Sequence, residues 1–298
     1  MKVLATRRYP GPAFEGLVDV EVRPLSELGE PRPDVEALVV ANEPVPLDLL
    51  PGLRLVANYG VGYDRLGVED LRERGVAVTN TPGVLDAATA DLTFALILAV
   101  RRRLVEGDRR VRAGAWSGSW ADGFLAEEVA GSTLGIVGLG RIGQAVARRA
   151  GGFDLRVLYT QRHRSDTGLA EYRELDDLLG ESDVLTIHAP LTPETRGLID
   201  ARRLALLRDG ACLVNTARGE IVDEPALVAE LVSGRIRAGL DVFAAEPQVP
   251  DELLSLPNVV LTPHLGSGTR QTREAMTRIV IDNIRAFERG LPLPTQVA

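Results

Sequence analysis

The sequence predicts an α/β protein of two domains, the larger built on a doubly wound parallel sheet. At 298 residues the chain is long enough for two separate cores. Short β-prone runs alternate with helix-compatible stretches along nearly all of it, the pattern of parallel strands joined by crossover helices. A glycine pattern, Gly138-x-Gly140-x-x-Gly143, sits between a β-prone run at 134–137 and helix-compatible sequence at 144–150. In that order of strand, turn and helix, the first glycine makes a tight turn, the second lets a pyrophosphate approach the backbone, and the third allows close helix–strand packing. The helix N-terminus that follows offers unspent N–H groups and a partial positive charge to phosphates.

Taken in order, residues 2–5, 18–22, 37–40, 53–57 and 76–79 read as strands separated by Pro/Gly turns and short helices, a first compact α/β unit. From Asp86 an alanine-rich stretch, apolar on more than one face, runs through Arg101, Arg102 and Arg103 to about Gly114 and predicts one long helix. Residues 116–131 are irregular and hold both tryptophans, Trp116 and Trp120, an apolar-aromatic arm suited to a subunit contact or a local plug. Strands are then predicted at 134–137, 156–159, 184–187, 212–215, 238–241 and 259–262, with helices at 142–150, 172–179, 201–207 and 224–233. Six strands with intervening helices make a Rossmann-type sheet. A last amphipathic stretch, 269–289, carries Ala275, Ile279 and Ile284 at helical spacing and is expected to return to the first unit. The expected domains are therefore a smaller, discontinuous one of residues 1–91 and 268–298, and a nucleotide-binding one of residues 92–267.

Composition narrows the partners. A formal net charge of −8 argues against nucleic acid or an anionic membrane surface, so an anionic ligand needs locally placed Arg or backbone N–H groups. The single cysteine, Cys212, lies in an apolar run and reads as buried filler rather than a nucleophile. No metal-ligand spacing is visible, the first residues have no long apolar run of a signal peptide, and the apolar stretch 94–100 is too short to span a bilayer. The expectation is a cytoplasmic protein with no membrane partner and no metal.

Ligands of open α/β sheets bind beyond the carboxyl ends of the strands. Arg218 follows the run 212–215, Asp241 ends 238–241 with Glu246 five residues on, and His264 follows 259–262. A guanidinium, a carboxylate and an imidazole at successive strand ends fit one reaction. Hydride delivered to a ketone leaves an alkoxide that must take a proton, which a protonated His supplies. A carboxylate beside that His stabilises its charged form, and an Arg holds a substrate carboxylate and polarises the carbonyl.

The motifs Gly138-Leu-Gly-Arg-Ile-Gly143, His188-Ala-Pro-Leu-Thr192, Asn215-Thr-Ala-Arg-Gly-Glu220, Gly239-Leu-Asp-Val-Phe243 with Glu246-Pro247, and Pro263-His-Leu-Gly-Ser267 resemble the signatures of the D-isomer-specific 2-hydroxyacid dehydrogenases. The resemblance covers nearly the whole chain, in the family's order. It implies a flavodoxin-like α/β fold for the smaller domain, Arg218 as substrate anchor, Glu246 as partner of the histidine, and His264 as acid/base. It implies that Asn58-Tyr-Gly-Val-Gly62 holds the substrate carboxylate through N–H groups near Val61 and Gly62. Cofactor contacts are implied at Gly138, Gly140, Arg141, Ile142 and Gly143, at His188, Ala189 and Pro190, at Thr216, Ala217 and Arg218, and at Asp241, His264 and Gly266, with Asp241 facing the nicotinamide carboxamide. A homodimer formed through the helix after Asp86 and the tryptophan arm is also implied.

The choice of nicotinamide cofactor rests on the second strand of that domain. An NAD site carries an acidic residue there, about 20 residues past the glycines, for the ribose 2′-OH. The position is Gln161 here, followed by Arg162, His163, Arg164 and Ser165, with no carboxylate before Asp166. A neutral residue beside Arg suits a 2′-phosphate, so NADP(H) is expected over NAD(H). The turns Tyr159-Thr-x-Arg162 and Asn80-Thr-Pro-Gly-Val-Leu85 look most similar to the glyoxylate/hydroxypyruvate reductase branch. Other readings are a member of the family acting on phosphoglycerate, lactate or phosphite, or a non-catalytic cofactor-sensing protein like the C-terminal-binding corepressors. The complete Arg218, Glu246 and His264 set speaks against the last.

Overall fold

The computed structural model describes residues 1–17, 19–118 and 123–297. Cα packing divides the chain into two units, Met1–Leu85 with Ser267–Ala298, and Asp86–Gly266. The whole of the helix that begins at Asp86 thus belongs with the second unit, where the sequence placed the cut at residue 91. The shift has a packing cause. Ala90, Phe94, Leu96, Ile97 and Val100 are buried together with Leu134, Val146 and Val214 of that unit, so the helix is part of its core from its first turns.

The first unit is a five-stranded parallel sheet of β1 (Val3–Ala5), β2 (Val20–Val22), β3 (Ala37–Val40), β4 (Leu55–Asn58) and β5 (Ala77–Thr79), in the order β2-β1-β3-β4-β5. That is the flavodoxin-like order. The residues of β1, β3 and β4 are buried throughout, as strands covered on both faces must be. Val18, which the sequence placed in the second strand, lies outside the described residues. The return helix, Arg270–Glu288, is capped by Thr269, whose hydroxyl accepts from Thr272 N at 3.2 Å. Its buried stripe is Thr272, Met276, Thr277, Val280, Ile281, Asn283 and Ile284, so Ala275 and Ile279, expected on the buried face, sit at its margin.

The second unit is a seven-stranded parallel sheet: β6 (Thr133–Val137), β7 (Arg156–Thr160), β8 (Glu171–Tyr172), β9 (Val184–Ile187), β10 (Cys212–Asn215), β11 (Arg237–Leu240) and β12 (Val259–Leu261). The order is β12-β11-β10-β9-β6-β7-β8, a Rossmann-type sheet whose strand order reverses between β6 and β9. The seventh strand, β8, was not foreseen. It pairs only Leu158 with Glu171 and Tyr159 with Tyr172, too short for a periodic signal, and the helix expected from residue 172 begins instead at Leu175. The long helix expected after Asp86 is two helices, Asp86–Arg101 and Leu104–Arg112. Arg103 breaks it in a left-handed conformation, φ 52°, where its guanidinium pairs with Glu106 at 2.6 Å, reaches Leu125 O at 3.0 Å and lies 4.2 Å over the Phe124 ring. Cys212 is fully buried and its thiol is pushed up to about 12 by desolvation, which leaves it inert.

Among the described residues no helix is long and apolar enough to cross a membrane, and no group of three or more His, Cys, Asp or Glu side chains could hold a metal ion.

Candidate active site

Every site residue expected in the second unit falls at the carboxyl edge of the seven-stranded sheet. Gly138 to Gly143 follow β6, Gln161 and Arg162 follow β7, and His188, Ala189 and Pro190 follow β9. Thr216, Ala217 and Arg218 follow β10, Asp241 and Glu246 follow β11, and His264 and Gly266 follow β12. Val61 and Gly62 lie in the first unit, on the loop after β4.

The glycine turn is built at the reversal of strand order. Gly138 has φ 95°, a conformation costly for any residue with a Cβ, and a Cβ there would meet Ala189 N at 2.8 Å. A Cβ on Gly143 would fall 2.1 Å from Gly138 O, so helix Arg141–Ala150 sits directly on the turn. Gly140 differs: a Cβ there would meet nothing within 4 Å, so the protein's own packing does not require glycine at this position. The helix that starts at Arg141 has no side-chain cap and no acidic residue in its first turn, which leaves its first N–H groups and positive end for an anion. A dinucleotide pyrophosphate fits that cradle in shape and in charge.

Beyond β7, Gln161 Oε1 accepts from Leu139 N at 3.1 Å, and its amide donates to His163 O at 2.6 Å. The residue that stands in the acidic position is therefore tied to the glycine turn itself. Arg164 stacks 4.0 Å from the Tyr172 ring and pairs with Glu174 at 3.4 Å, while Arg162 is exposed and makes no hydrogen bond or ion pair among the described residues. Beyond β9, burial pushes the His188 imidazole down to about 3, so the ring is neutral and shares a 2.9 Å hydrogen bond with the Thr186 hydroxyl.

The expected pairing of His264 with Glu246 is formed. His264 Nδ1 lies 2.8 Å from Glu246 Oε2, and because a carboxylate only accepts, Nδ1–H is the donor. The other carboxylate oxygen of Glu246 accepts from Phe243 N at 3.1 Å, which fixes the acid toward the ring. His264 sits at φ 53°, an unusual conformation for a residue with a Cβ. Asp241 holds it there. The Asp241 backbone carbonyl accepts from His264 N at 2.9 Å, and its carboxylate accepts from Thr262 Oγ1 at 2.6 Å, Leu265 N at 2.7 Å and Gly266 N at 2.8 Å. Burial raises the pKa of Asp241, opposed by these donors and by nearby His264. Its carboxylate thus spends most of its acceptor capacity on the histidine loop, a task the sequence did not assign to it.

Arg218 is placed by Asn215 at the end of β10. The Asn215 amide donates to Arg218 O at 2.7 Å and its oxygen accepts from Ala217 N at 3.0 Å, while Arg218 Nη1 donates to Ala217 O at 2.7 Å. Gly219 then presses on the next strand's loop: a Cβ there would fall 2.1 Å from Phe243 C and 2.3 Å from Ala244 N. The arginine loop and the glutamate loop are therefore in direct backbone contact. Gly219→Ala should lower kcat/KM by about 10²-fold, because both loops must move apart near the reacting groups. Wild-type kinetics in a folded Gly219→Ala protein would disprove the coupling.

Asn215, Gly219 and Thr262 were not singled out from sequence. Asn215 and Gly219 fall within the Asn215–Glu220 motif, but their own roles, like that of Thr262, had no signal beyond position, polar or glycine residues directly after strands, which is also the ordinary composition of turns.

A glycine cradle and a carboxylate-held imidazole share one Rossmann-type sheet edge, an arrangement suited to an oxidoreductase acting on the CH–OH group of its donors. Residues 94–266 match the D-isomer specific 2-hydroxyacid dehydrogenase, NAD binding domain. The chain belongs to the D-isomer specific 2-hydroxyacid dehydrogenase family. It is 49% identical to the glyoxylate reductase of Pyrococcus furiosus, over 99% of this chain and 95% of that one. Among solved structures it is similar to a protein of Thermus thermophilus, with TM-score 0.93, 43% identity and all of both chains covered. It is also similar to the NADPH-dependent glyoxylate/hydroxypyruvate reductase of Sinorhizobium meliloti in complex with NADP and malonate, with TM-score 0.92 and 35% identity over 100% of this chain and 96% of that one.

Proposed function

We propose that the protein is a cytoplasmic, NADPH-preferring reductase of small 2-ketoacids, with glyoxylate and hydroxypyruvate as its substrates. The observation that carries the reading is the 2.8 Å contact of His264 with Glu246 on the same sheet edge as the glycine cradle. The relatives named glyoxylate reductase, with identities near one half, support the substrate class. When bound, NADPH supplies the hydride.

The protein's own groups do the rest. Gly138, Gly140 and Gly143, with the N–H groups of Arg141 and Ile142, hold the pyrophosphate. His188, Ala189, Pro190, Thr216, Ala217, Asp241 and Gly266 line the remaining cofactor contacts. Gln161 and Arg162 receive the 2′-phosphate. Val61 and Gly62 hold the substrate carboxylate through N–H groups, and Arg218 orients the ketoacid and polarises its carbonyl. His264 donates a proton from Nε2 to the carbonyl oxygen as it becomes an alkoxide. Glu246 stabilises the imidazolium and keeps Nε2 aimed outward. In this assignment the first unit is the substrate-binding domain and the second the nucleotide-binding one.

A panel of 2-ketoacids, followed by the absorbance of NADPH and of NADH, tests the reading. Turnover of glyoxylate and hydroxypyruvate with a higher kcat/KM for NADPH supports it. Binding of NADPH with no turnover of any 2-ketoacid would restore a cofactor-sensing role, and a higher kcat/KM with NADH would reverse the cofactor preference.

A second copy of the chain is the expected partner. Leu104, Val111, Trp116 and Leu125, all within one short stretch of the chain, are exposed at 56, 59, 66 and 69%. Trp120 of the same arm lies outside the described residues. Light scattering should give twice the chain mass for the wild type and the chain mass for a Leu104→Glu/Leu125→Glu variant. A monomeric wild type would remove the dimer.

A further inference from the structure

The loop that follows β4 is held by two asparagines in a way that decides where its N–H groups point. Asn58, the last residue of β4, is fully buried. Its oxygen accepts from Asn42 N at 2.8 Å, and its amide donates to Gly60 O at 3.1 Å and Gly62 O at 2.8 Å. Asn80, just past β5, donates to Val61 O at 3.0 Å, and Thr81 N donates to Gly60 O at 3.0 Å. Three successive carbonyls, those of Gly60, Val61 and Gly62, are thus drawn to one side. In a trans peptide the C=O of one residue and the N–H of the next point in opposite directions. Fixing the Gly60 and Val61 carbonyls therefore aims the N–H groups of Val61 and Gly62 to the other side. Among the described residues neither of those N–H groups makes a hydrogen bond. The result is a pair of preorganised donors of the kind that holds a carboxylate.

Asn80 is itself fixed by the C-terminal segment. The Thr295 hydroxyl donates to Asn80 O at 2.6 Å, and Asn80 N donates to Thr295 O at 3.2 Å. Thr295 is held in turn by buried Asn283, whose amide donates to its hydroxyl at 2.9 Å and whose oxygen accepts from its N–H at 3.2 Å. Val297 N donates to Val78 O at 2.8 Å and closes the segment onto β5.

We propose that Asn58 and Asn80 are positioning residues that aim the Val61 and Gly62 N–H groups at the substrate carboxylate, with Thr295 as the clasp that fixes Asn80. The proposal rests on the reading of this loop as the carboxylate anchor of a 2-ketoacid reductase. It adds the groups that set the aim, and extends them to a residue only a few positions from the end of the chain.

The test compares glyoxylate with its methyl ester as substrates of the full-length enzyme with NADPH, for the wild type and for Asn58→Asp, Asn80→Ala and Thr295→Val. Losing one donor that aims the loop should raise KM for glyoxylate roughly tenfold in Asn80→Ala, and less in Thr295→Val, with kcat within about twofold of wild type. KM for the ester and the Kd for NADPH should not move, since neither uses the carboxylate donors. Asn58→Asp places a buried carboxylate against two carbonyls; if it fails to fold, the other two variants decide the matter. A rise in KM equal for acid and ester, or no rise in either, overturns the positioning role. A wild-type enzyme that uses the ester as well as the acid overturns the carboxylate-anchor reading itself, and this proposal with it.

Discussion

His264→Ala is expected to lower kcat for 2-ketoacid reduction by about 10³-fold while leaving the Kd for NADPH nearly unchanged. In the proposed mechanism the ring's proton goes to the developing alkoxide, so its loss falls chiefly on the reacting step and much less on cofactor binding. Glu246→Gln should cost less. An amide oxygen still accepts from Nδ1–H at the 2.8 Å separation and keeps the ring oriented, but it no longer carries the charge that stabilises the imidazolium. The pair therefore separates orientation from charge: Glu246→Ala removes both and should fall below Glu246→Gln. Unchanged turnover in His264→Ala would remove this histidine from the mechanism. Equal losses in the two Glu246 variants would show that the charge, and not the orientation, is what the glutamate supplies.

The double variant Gln161→Asp/Arg162→Ser is expected to move the ratio of kcat/KM for NADPH over NADH toward NADH by roughly 10²- to 10³-fold. Two effects add. A carboxylate after β7 repels a 2′-phosphate and accepts from a ribose 2′-OH, and the guanidinium proposed to pair with the phosphate is gone. We assign the proposed role to Arg162 and not to Arg164, because Arg164 is already engaged by Tyr172 and Glu174. Arg164→Ala should accordingly leave the ratio almost where it was. Gln161 also makes the substitution delicate, since its oxygen accepts from Leu139 N in the glycine turn. The replacement side chain in Gln161→Asp is one methylene shorter, and a rise in KM for both cofactors alike would mean that the turn itself had shifted. A ratio unchanged in the double variant would show that the 2′-phosphate is not read at this strand end.

What could be read from residues alone followed from how each feature is encoded. Strands such as Val184–Ile187 and Cys212–Asn215 are short apolar runs because both faces of a parallel sheet are covered, so they stand out without any partner in view. Gly138 and Gly143 were legible because only glycine fits where a Cβ would strike backbone. Arg218, Glu246 and His264 stood out as candidates because strand ends are where such a sheet binds ligands, and the structure does place all three after strand ends on that edge. The break at Arg103 was not, since the helical pattern continues through it. What competes is tertiary: the carbonyl of Leu125 and the ring of Phe124, both 20 or so residues away in sequence. The same holds for Asn58, Asn80 and Asp241. Each acts through hydrogen bonds to backbone groups on other loops, and no periodicity or spacing marks a side chain whose partners are distant carbonyls and N–H groups.

The hydrogen bond from Thr89 Oγ1 to Gly266 O, 3.1 Å long, carries an implication for how enzymes of this architecture diversify. It ties the start of the second unit to its end, so that the chain enters and leaves that unit at one point. A segment with adjacent ends can be spliced into, or lifted from, a surrounding domain without unravelling either. Here the spliced segment carries the glycine turn, the guanidinium, the glutamate and the imidazole together. Selection can then rework the remaining residues while the glycine turn and the paired histidine and glutamate are inherited whole.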